Sequence, residues 1–364
     1  MKRRGFKLQL IDWYIIKQFL GTFVFITILM IAITVVFDIN EKIEEFMKPE
    51  VTLSEIAFDY YANFIPYFIG LFSPLFSFIT VIWFTSRLAD RSEIIAMLSG
   101  GVSFNRLMLP YLISATIIAS SNYVLSAYVI PKANVTRIAF QNKYIKNKAV
   151  QSGRNIQLEV EPGVFAYFDM YSAPSFMGYR FSLDHFEDKQ LVSRLIANSI
   201  KYDSLYHWTI IDYIIRDFDG MRENITTGTR RDTVLTFVPS DFLIAVGDCE
   251  TMTSPELSKH IQRQKQRGIG NIQSFEIEYH MRQATIMSFY ILTIIGLSLS
   301  SRKIKGGMGV NIGIGLGLSF AYVLFSKVSS TFAISGLVSP MIAVWIPNIL
   351  YVFITVYVYL RAPR

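Results

Sequence analysis

Residues able to do covalent or metal chemistry are few in this 364-residue chain, and their spacing does not suit it. The four histidines, His185, His207, His260 and His280, show no HExxH or other ligand spacing. The single cysteine, Cys249, can build neither a thiolate zinc site nor an internal disulfide. No GxxxxGK[ST] phosphate cradle and no GxSxG elbow occurs. No metal and no cofactor is expected, and the chain is not expected to hydrolyse ATP alone.

Three other groups of residues are better placed to work. ADRSEIIAMLSGG, residues 89–101, is a short charged segment between two long apolar runs. Arg91, Ser92 and Glu93 open a helical pattern, and Gly100 and Gly101 close it. Glu93, Met97 and the glycines then share one face, suited to a groove on a partner where Glu93 meets a basic residue. The plainer reading is a connector whose charges only face water. Lys327 is the lone charge between Gly306 and Leu360. It lies about 18 residues beyond Gly309, roughly 27 Å along a helix, at the level of lipid phosphates. It either meets phosphate as a point charge or snorkels to the interface. Gly309, Gly313 and Gly317 recur every four residues and leave a smooth strip for close helix packing, whether static or able to open.

The elements that carry these residues are membrane spans. Hydrophobic residues make up 52% of the chain and charged residues 17%, below the roughly 25% of soluble domains. Phe19 to Phe37, Tyr60 to Phe84, Leu107 to Ile130 and Gln283 to Ser301 contain no charge, and Pro340 divides the last run in two. At about 20 residues per crossing, six transmembrane helices are expected. The first is read as a retained helix, since the run is too long for a signal peptide and has no small-residue cleavage site.

Positive charge orients the spans. Lys2, Arg3, Arg4, Lys7 and Lys17 put the N-terminus in the cytoplasm, as Arg361 and Arg364 do for the C-terminus. Arg87, Arg91 and Arg106 do the same for residues 89–101, and Arg302, Lys303 and Lys305 for a further loop. The net charge of +7 therefore needs no nucleic acid to explain it. The spans themselves are read as carrying no buried acid or arginine chain of the kind an ion-coupled carrier uses.

The count leaves a large segment on the outer side. VFAYFDMY (164–171), YRFSLDHF (179–186), HWTIIDYIIRDF (207–218) and TVLTFV (233–238) read as strands, with turns at Glu161-Pro162-Gly163, Glu187-Asp188 and Asp219-Gly220. About eight strands in an antiparallel sandwich or half-open roll are expected. Ser254-Pro255-Glu256 starts a basic helix, read with Ser254 as its cap, which Gly268 and Gly270 end. The expected organisation is helices one to three over 1–131, the coupling segment near 89–101, a β domain and following helix over 132–270, and helices four to six over 271–364.

RSEIIAMLSGGVSFNRL resembles the inner loop of the LptF/LptG (YjgP/YjgQ) permeases of the lipopolysaccharide exporter. The likeness extends to Ile11-Asp12-Trp13-Tyr14 at the start, the inserted β domain, and TSPELSK at 253–259. Gly317-Leu318-Ser319-Phe320, Ser339-Pro340 and Pro347 look closer to LptG than to LptF. The resemblance implies a multi-pass permease of a bacterial inner membrane, with a periplasmic β-jellyroll. Its implied partners are an LptF-like permease, an LptB-like ATPase dimer docked on Arg91, Glu93, Met97, Gly100 and Gly101, and an LptC-like periplasmic jellyroll protein.

The resemblance also implies lipid contacts. Lys42 and Lys48 flank the outer end of the first helix, where relatives carry several lysines that grip lipid. Here that place is mostly acidic, with Asp38, Glu41, Glu44 and Glu45. That departure fits either a lipid with fewer phosphates or recognition bridged by divalent cations. If the roll is splayed, Trp208, Ile210, Tyr213 and Ile215 line a trough for acyl chains. The expected function is lateral extraction of lipopolysaccharide from the outer leaflet and its passage to the jellyroll, powered by a separate ATPase. The alternative is a mechanotransmitting or scaffold membrane protein with a periplasmic binding domain and no lipid transport.

Overall fold

The computed structural model describes residues 9–145, 152–188, 190–220, 222–239, 247–266, 272–301, 307–335 and 337–362. It divides into a helical unit, Met1–Ile145 with Glu276–Arg364, and a second unit, Lys146–Phe275. Among the described residues, six helical stretches are long and apolar enough to cross a membrane.

In the helical unit the helices are α1 (Leu10–Glu41), α2 (Ile43–Phe46), α3 (Ala62–Asp90), α4 (Glu93–Ser99), α5 (Phe104–Val124) and α6 (Ile130–Phe140). The third span does not stop near Ile130. Pro131 lacks an N–H, and the chain absorbs this through a π-helical turn at Leu125–Val129, then continues helical through a second at Gln141–Ile145. Residues 132–145 therefore belong to the helical unit, which moves its boundary past the expected 131/132. The remaining spans are α9 (Gln273–Ser300), α10 (Gly307–Ile334) and α11 (Pro340–Leu360), with Pro340 in the first turn of α11.

One apolar core joins Ile15 and Phe19 of α1, Phe84 and Leu88 of α3, Ile94 of α4, and Phe104, Leu107 and Tyr111 of α5. A second joins Phe78 and Ile82 of α3 to Ile291 and Ile295 of α9 and Tyr351 of α11. The sequence predicts no buried acid or arginine chain in the spans, yet buried charges are present. Asp12, Asp38, Arg137 and Arg282 are all buried, toward the ends of the spans and not along one path. Arg282 is held by Glu278 at 2.8 Å, one helical turn away.

The second unit carries β1 (Ser152–Glu161), β2 (Val164–Ser172), β3 (Met177–Glu187), β4 (Gln190–Ser204), β5 (His207–Asp219) and β6 (Arg222–Val234). Among the described residues these six strands form one antiparallel sheet in the order β1-β2-β3-β4-β5-β6, fewer than the eight expected. The expected strand at 233–238 is displaced: β6 occupies Arg222–Val234. Its polar residues gave no strand signal because almost the whole strand is exposed.

One row of inward residues crosses the sheet, pairing Ile156 with Phe168, Phe168 with Phe181, Phe181 with Ala197, Ala197 with Tyr213, and Tyr213 with Gly228. Gly228 is required there, because a Cβ would lie 2.6 Å from the Tyr213 ring. The in–out alternation then shifts by one residue along a transverse line through Asp169, Arg180, Asn198 and Asp212, which fall outside the paired register. Arg180 and Asp212 both take φ of +50°, and such a left-handed residue re-aims the strand beyond it. This is why Trp208 and Ile210 share a face with Tyr213 and Ile215 despite the change of parity.

After β6 the chain folds across the same face. Leu235 and Phe237 enter the core, and Thr236 Oγ1 donates to the Val160 carbonyl of β1 at 3.3 Å. The result is a curled sheet closed on one side by its own tail, a half-open roll and not a two-sheet sandwich. The helix that follows, α8 (Ser254–Gln266), comes after the single turn α7 (Asp248–Thr251). Its cap is Thr253, one residue before the expected Ser254. The Thr253 N–H and Oγ1 both donate to Glu256 Oε2, at 2.9 and 2.7 Å, which is the back-reaching half of a capping box. The glycines expected to end it, Gly268 and Gly270, lie outside the described residues, as do Arg302, Lys303 and Lys305.

Candidate functional site

The segment at 89–101 forms a shorter helix than its charge pattern suggested. α3 runs through Asp90, and α4 covers only Glu93–Ser99. Ser92 turns the chain with φ +61°, leaving α4 to start abruptly. The other end is a glycine stop. Gly101 takes φ +88°, its N–H donates to the Leu98 carbonyl at 3.1 Å, and the Val102 N–H donates to Met97 at 3.1 Å. That pair of bonds is a Schellman motif, with Gly101 at the left-handed position. Gly100 has ordinary helical φ, so the two glycines are not equivalent. Gly101→Val is expected to destabilise the turn by about 1–2 kcal/mol through its left-handed strain. Faster proteolysis between α4 and α5 would report it; unchanged cleavage would contradict it.

The face of α4 turned toward the bundle carries Ile94, Met97 and Leu98, which pack into the core of α1, α3 and α5. Glu93 is held within the chain as well: Tyr14 Oη of α1 donates to its Oε2 at 3.1 Å, and Arg91 lies 4.0 Å away. The exposed side consists of Arg91, Ser92, Ile95, Ala96, Ser99 and the glycines, with Ile95 50% exposed. Of the residues proposed from the sequence to dock a partner, Glu93 and Met97 thus face mainly inward, while Arg91, Gly100 and Gly101 are outward. Ile95, Ala96 and Ser99 were missed. Their signal was the spacing complementary to Ile94, Met97 and Leu98, with a large apolar side chain left on the outside.

Close to α4, Arg106 in the first turn of α5 grips Asp12 in the first turn of α1 with both terminal nitrogens, Nη1 at 2.6 Å. Asp12 is fully buried and also accepts the Gln9 N–H at 2.7 Å. A bidentate arginine–carboxylate pair is strong and fixes orientation as well as distance. Removing Arg106 strands the buried Asp12 carboxylate, whereas Arg106 itself keeps part of its side chain in solvent.

At the other end of α1, Asp38 accepts hydrogen bonds from Tyr60 at 3.2 Å, Tyr61 at 3.1 Å and from Lys42. Lys42 also bonds the Tyr60 hydroxyl and lies 5.0 Å over its ring. Lys48 donates to the Tyr144 carbonyl at 2.8 Å. Both lysines thus have partners within the chain, and Asp38 is satisfied by Lys42 and by the two tyrosines. Lys327 differs: it is exposed on α10, and its ammonium meets no partner among the described residues. Leu324 and Val328, 62% and 51% exposed, flank it on the same apolar face.

Among the described residues, nothing packs closely on the glycine strip. A Cβ on Gly309, Gly313 or Gly317 would meet nothing within 4 Å, whereas one on Gly315 would run into Ile82 of α3. Gly315 makes the close helix contact, and the strip of three faces away from it. α1 and the described part of the fifth span, Ile312–Ile334, have the least of their apolar length covered, 17% each, against 61% for Gln273–Ser300.

In the curled sheet, the four expected trough residues divide into two pairs. Trp208 and Ile210 are 1% exposed and fill the core; Trp208 Nε1 donates to the Phe237 carbonyl at 3.0 Å. Tyr213 and Ile215, beyond the kink at Asp212, are only partly covered, together with Leu183 and Val160. The interior is thus part-accessible at the Tyr213–Ile215 end, and Ala173 and Tyr202 are part-covered at the other. Among the described residues, no cluster of His, Cys, Asp and Glu could hold a metal ion.

Compared with known families, residues 13–361 match the one described as lipopolysaccharide export system permease LptF/LptG. No curated protein matches the chain.

Proposed function

We propose a function from one premise: the chain belongs to the LptF/LptG family of lipopolysaccharide export permeases. In this reading it is one of two permease halves in the inner membrane, driven by a separate ATPase pair that docks on α4 from the cytoplasm. The pair takes lipopolysaccharide laterally from the outer leaflet and passes it to the periplasmic sheet. The observation that carries the reading is the seating of α4. One face is built into the core through Ile94, Met97 and Leu98, and the other offers Ile95, Ala96 and Ser99 outward. A helix so anchored, with a small-residue face free, transmits a push instead of absorbing it.

Two further features fit this role. α1 and α10 are the least covered spans, as suits helices that meet a second permease across a lateral gate, and the strip of Gly309, Gly313 and Gly317 gives that contact a smooth surface. Lys327 is the lipid-phosphate candidate of choice, because Lys42 and Lys48 are already engaged. Drawing acyl chains into water costs about 0.8 kcal/mol per CH₂. Apolar side chains such as Tyr213 and Ile215, offered to the acyl chains by the sheet, offset part of that cost.

Affinity purification in mild detergent, with identification of co-eluting proteins and lipids, tests the reading. An ATPase subunit, a second six-span permease and lipopolysaccharide are the expected companions. A chain that elutes without an ATPase, or without lipid, would overturn it.

A further inference from the structure

The contacts at the two ends of α1 have no evident use in docking or in lipid recognition. At one end α1 is tied to both sides of α4. Tyr14 bonds Glu93, the first residue of α4, and Asp12 is gripped by Arg106, just beyond α4 at the start of α5. Ile11, Ile15 and Phe19 of α1 share their core with Ile94, Met97 and Leu98 of α4. At the other end, Asp38 is bonded to Tyr60 and Tyr61, which lie in the π-helical turn Glu55–Tyr61 that precedes α3. Between these ends Val24, Phe25, Ile28 and Leu29 are exposed, while Ile26 and Thr27 are buried.

Such a helix is clamped where force would enter and again where it would leave. The apolar contacts of α1 run along its length, and its polar, geometrically specific contacts lie at its two ends. The Asp12–Arg106 fork resists rotation as well as separation, since both oxygens and both nitrogens are engaged.

We propose that Asp12, Arg106 and Tyr14 are positioning residues that lock α1 to α4, making α1 a strut that carries displacement of α4 to the Asp38 end. The proposal rests on the ATPase-driven reading above and assigns the transmission route within it. It places the moving contact on α1, not on α10 or α11.

The test uses the complex with its co-eluting subunits in lipopolysaccharide-containing proteoliposomes. Spin labels are placed at Phe37→Cys on α1 and Val356→Cys on α11 in a Cys249→Ser background; both positions are exposed. Trapping with ATP and vanadate should change the distance between the labels in the otherwise native chain. Asp12→Asn with Tyr14→Phe should remove most of that change and lower ATP-dependent lipid delivery by about tenfold, within the range reported for residues on a coupling route. Binding of the ATPase and its hydrolysis rate should stay near native values. Asp12→Glu, which keeps the carboxylate, should retain the distance change. If Asp12→Asn does not fold, Tyr14→Phe alone removes one hydroxyl and should still weaken the change. A full distance change and native delivery in the variants would overturn the strut while leaving the functional reading standing. Absence of any nucleotide-linked change in the native complex would overturn both.

Discussion

Ile95→Arg is expected to detach the ATPase from the chain while the bundle remains folded. Ile95 is half exposed on α4, beside Ala96 and Ser99, and it makes no contribution to the core that Ile94, Met97 and Leu98 enter. The arginine is therefore hydrated in the free subunit and costs the fold little. In the docked state it would sit in a groove fitted to small and apolar side chains. An uncompensated buried charge costs about 3–5 kcal/mol. At about 1.4 kcal/mol per factor of ten, association should weaken by roughly two to three and a half orders of magnitude. Loss of the co-eluting ATPase, with native elution volume and thermal stability of the permease, is the expected result. Ile95 is a better probe than Glu93, whose replacement also breaks the bond to Tyr14. Retention of the ATPase by Ile95→Arg would mean that the exposed face of α4 is not the docking face.

Trp208→Ala is expected to unfold the sheet rather than merely weaken lipid contact. Its ring lies among Phe168, Tyr171, Tyr202 and Phe237 at centroid distances of 5.0 to 6.3 Å. Replacing a buried tryptophan by alanine costs about 3–5 kcal/mol, a large share of what holds a domain of this size. Its Nε1 bond to Phe237 also secures the tail that folds over the sheet. Hydrogen exchange on the full chain should show loss of amide protection across β1–β6, with the helical unit unchanged. Native protection combined with a selective loss of lipid cross-linking would instead make Trp208 a trough residue. Ile215→Ala should show that selective pattern, because Ile215 is only partly covered.

The spans were readable because lipid imposes one requirement along about twenty successive residues, and composition alone meets it. β2, β3 and β5 were readable for a similar reason: their aromatic and β-branched residues face a core. β6 was not, since nearly all its residues face solvent and only Gly228, set against the Tyr213 ring, marks its place. The segment after it was misread as a strand because Leu235 and Phe237 are buried by a tail crossing the sheet. Parity along β5 could not be followed through Asp212 without knowing its φ.

The segment at 89–101 shows the same division. Gly101 marked its stop, but its start was placed too early, because Ser92 turns the chain with φ +61° and α4 begins only at Glu93. Which face docks depends on where α1 and α5 lie, and that was not local. Lys42 illustrates the point for binding: its charge suggested phosphate, but Asp38, one turn back along the helix, and Tyr60 from the next span engage it first. Arg106 and Asp12, 94 positions apart, likewise become a pair only in three dimensions.

The most direct test is a photo-crosslinking residue at Ile215 in the complex, reconstituted with lipopolysaccharide and supplied with ATP. Adducts between the sheet and lipopolysaccharide should accumulate with ATP, remain at background without nucleotide, and disappear when Ile95→Arg is introduced. Adducts of equal yield with and without nucleotide, or none under any condition, would contradict transport driven through α4.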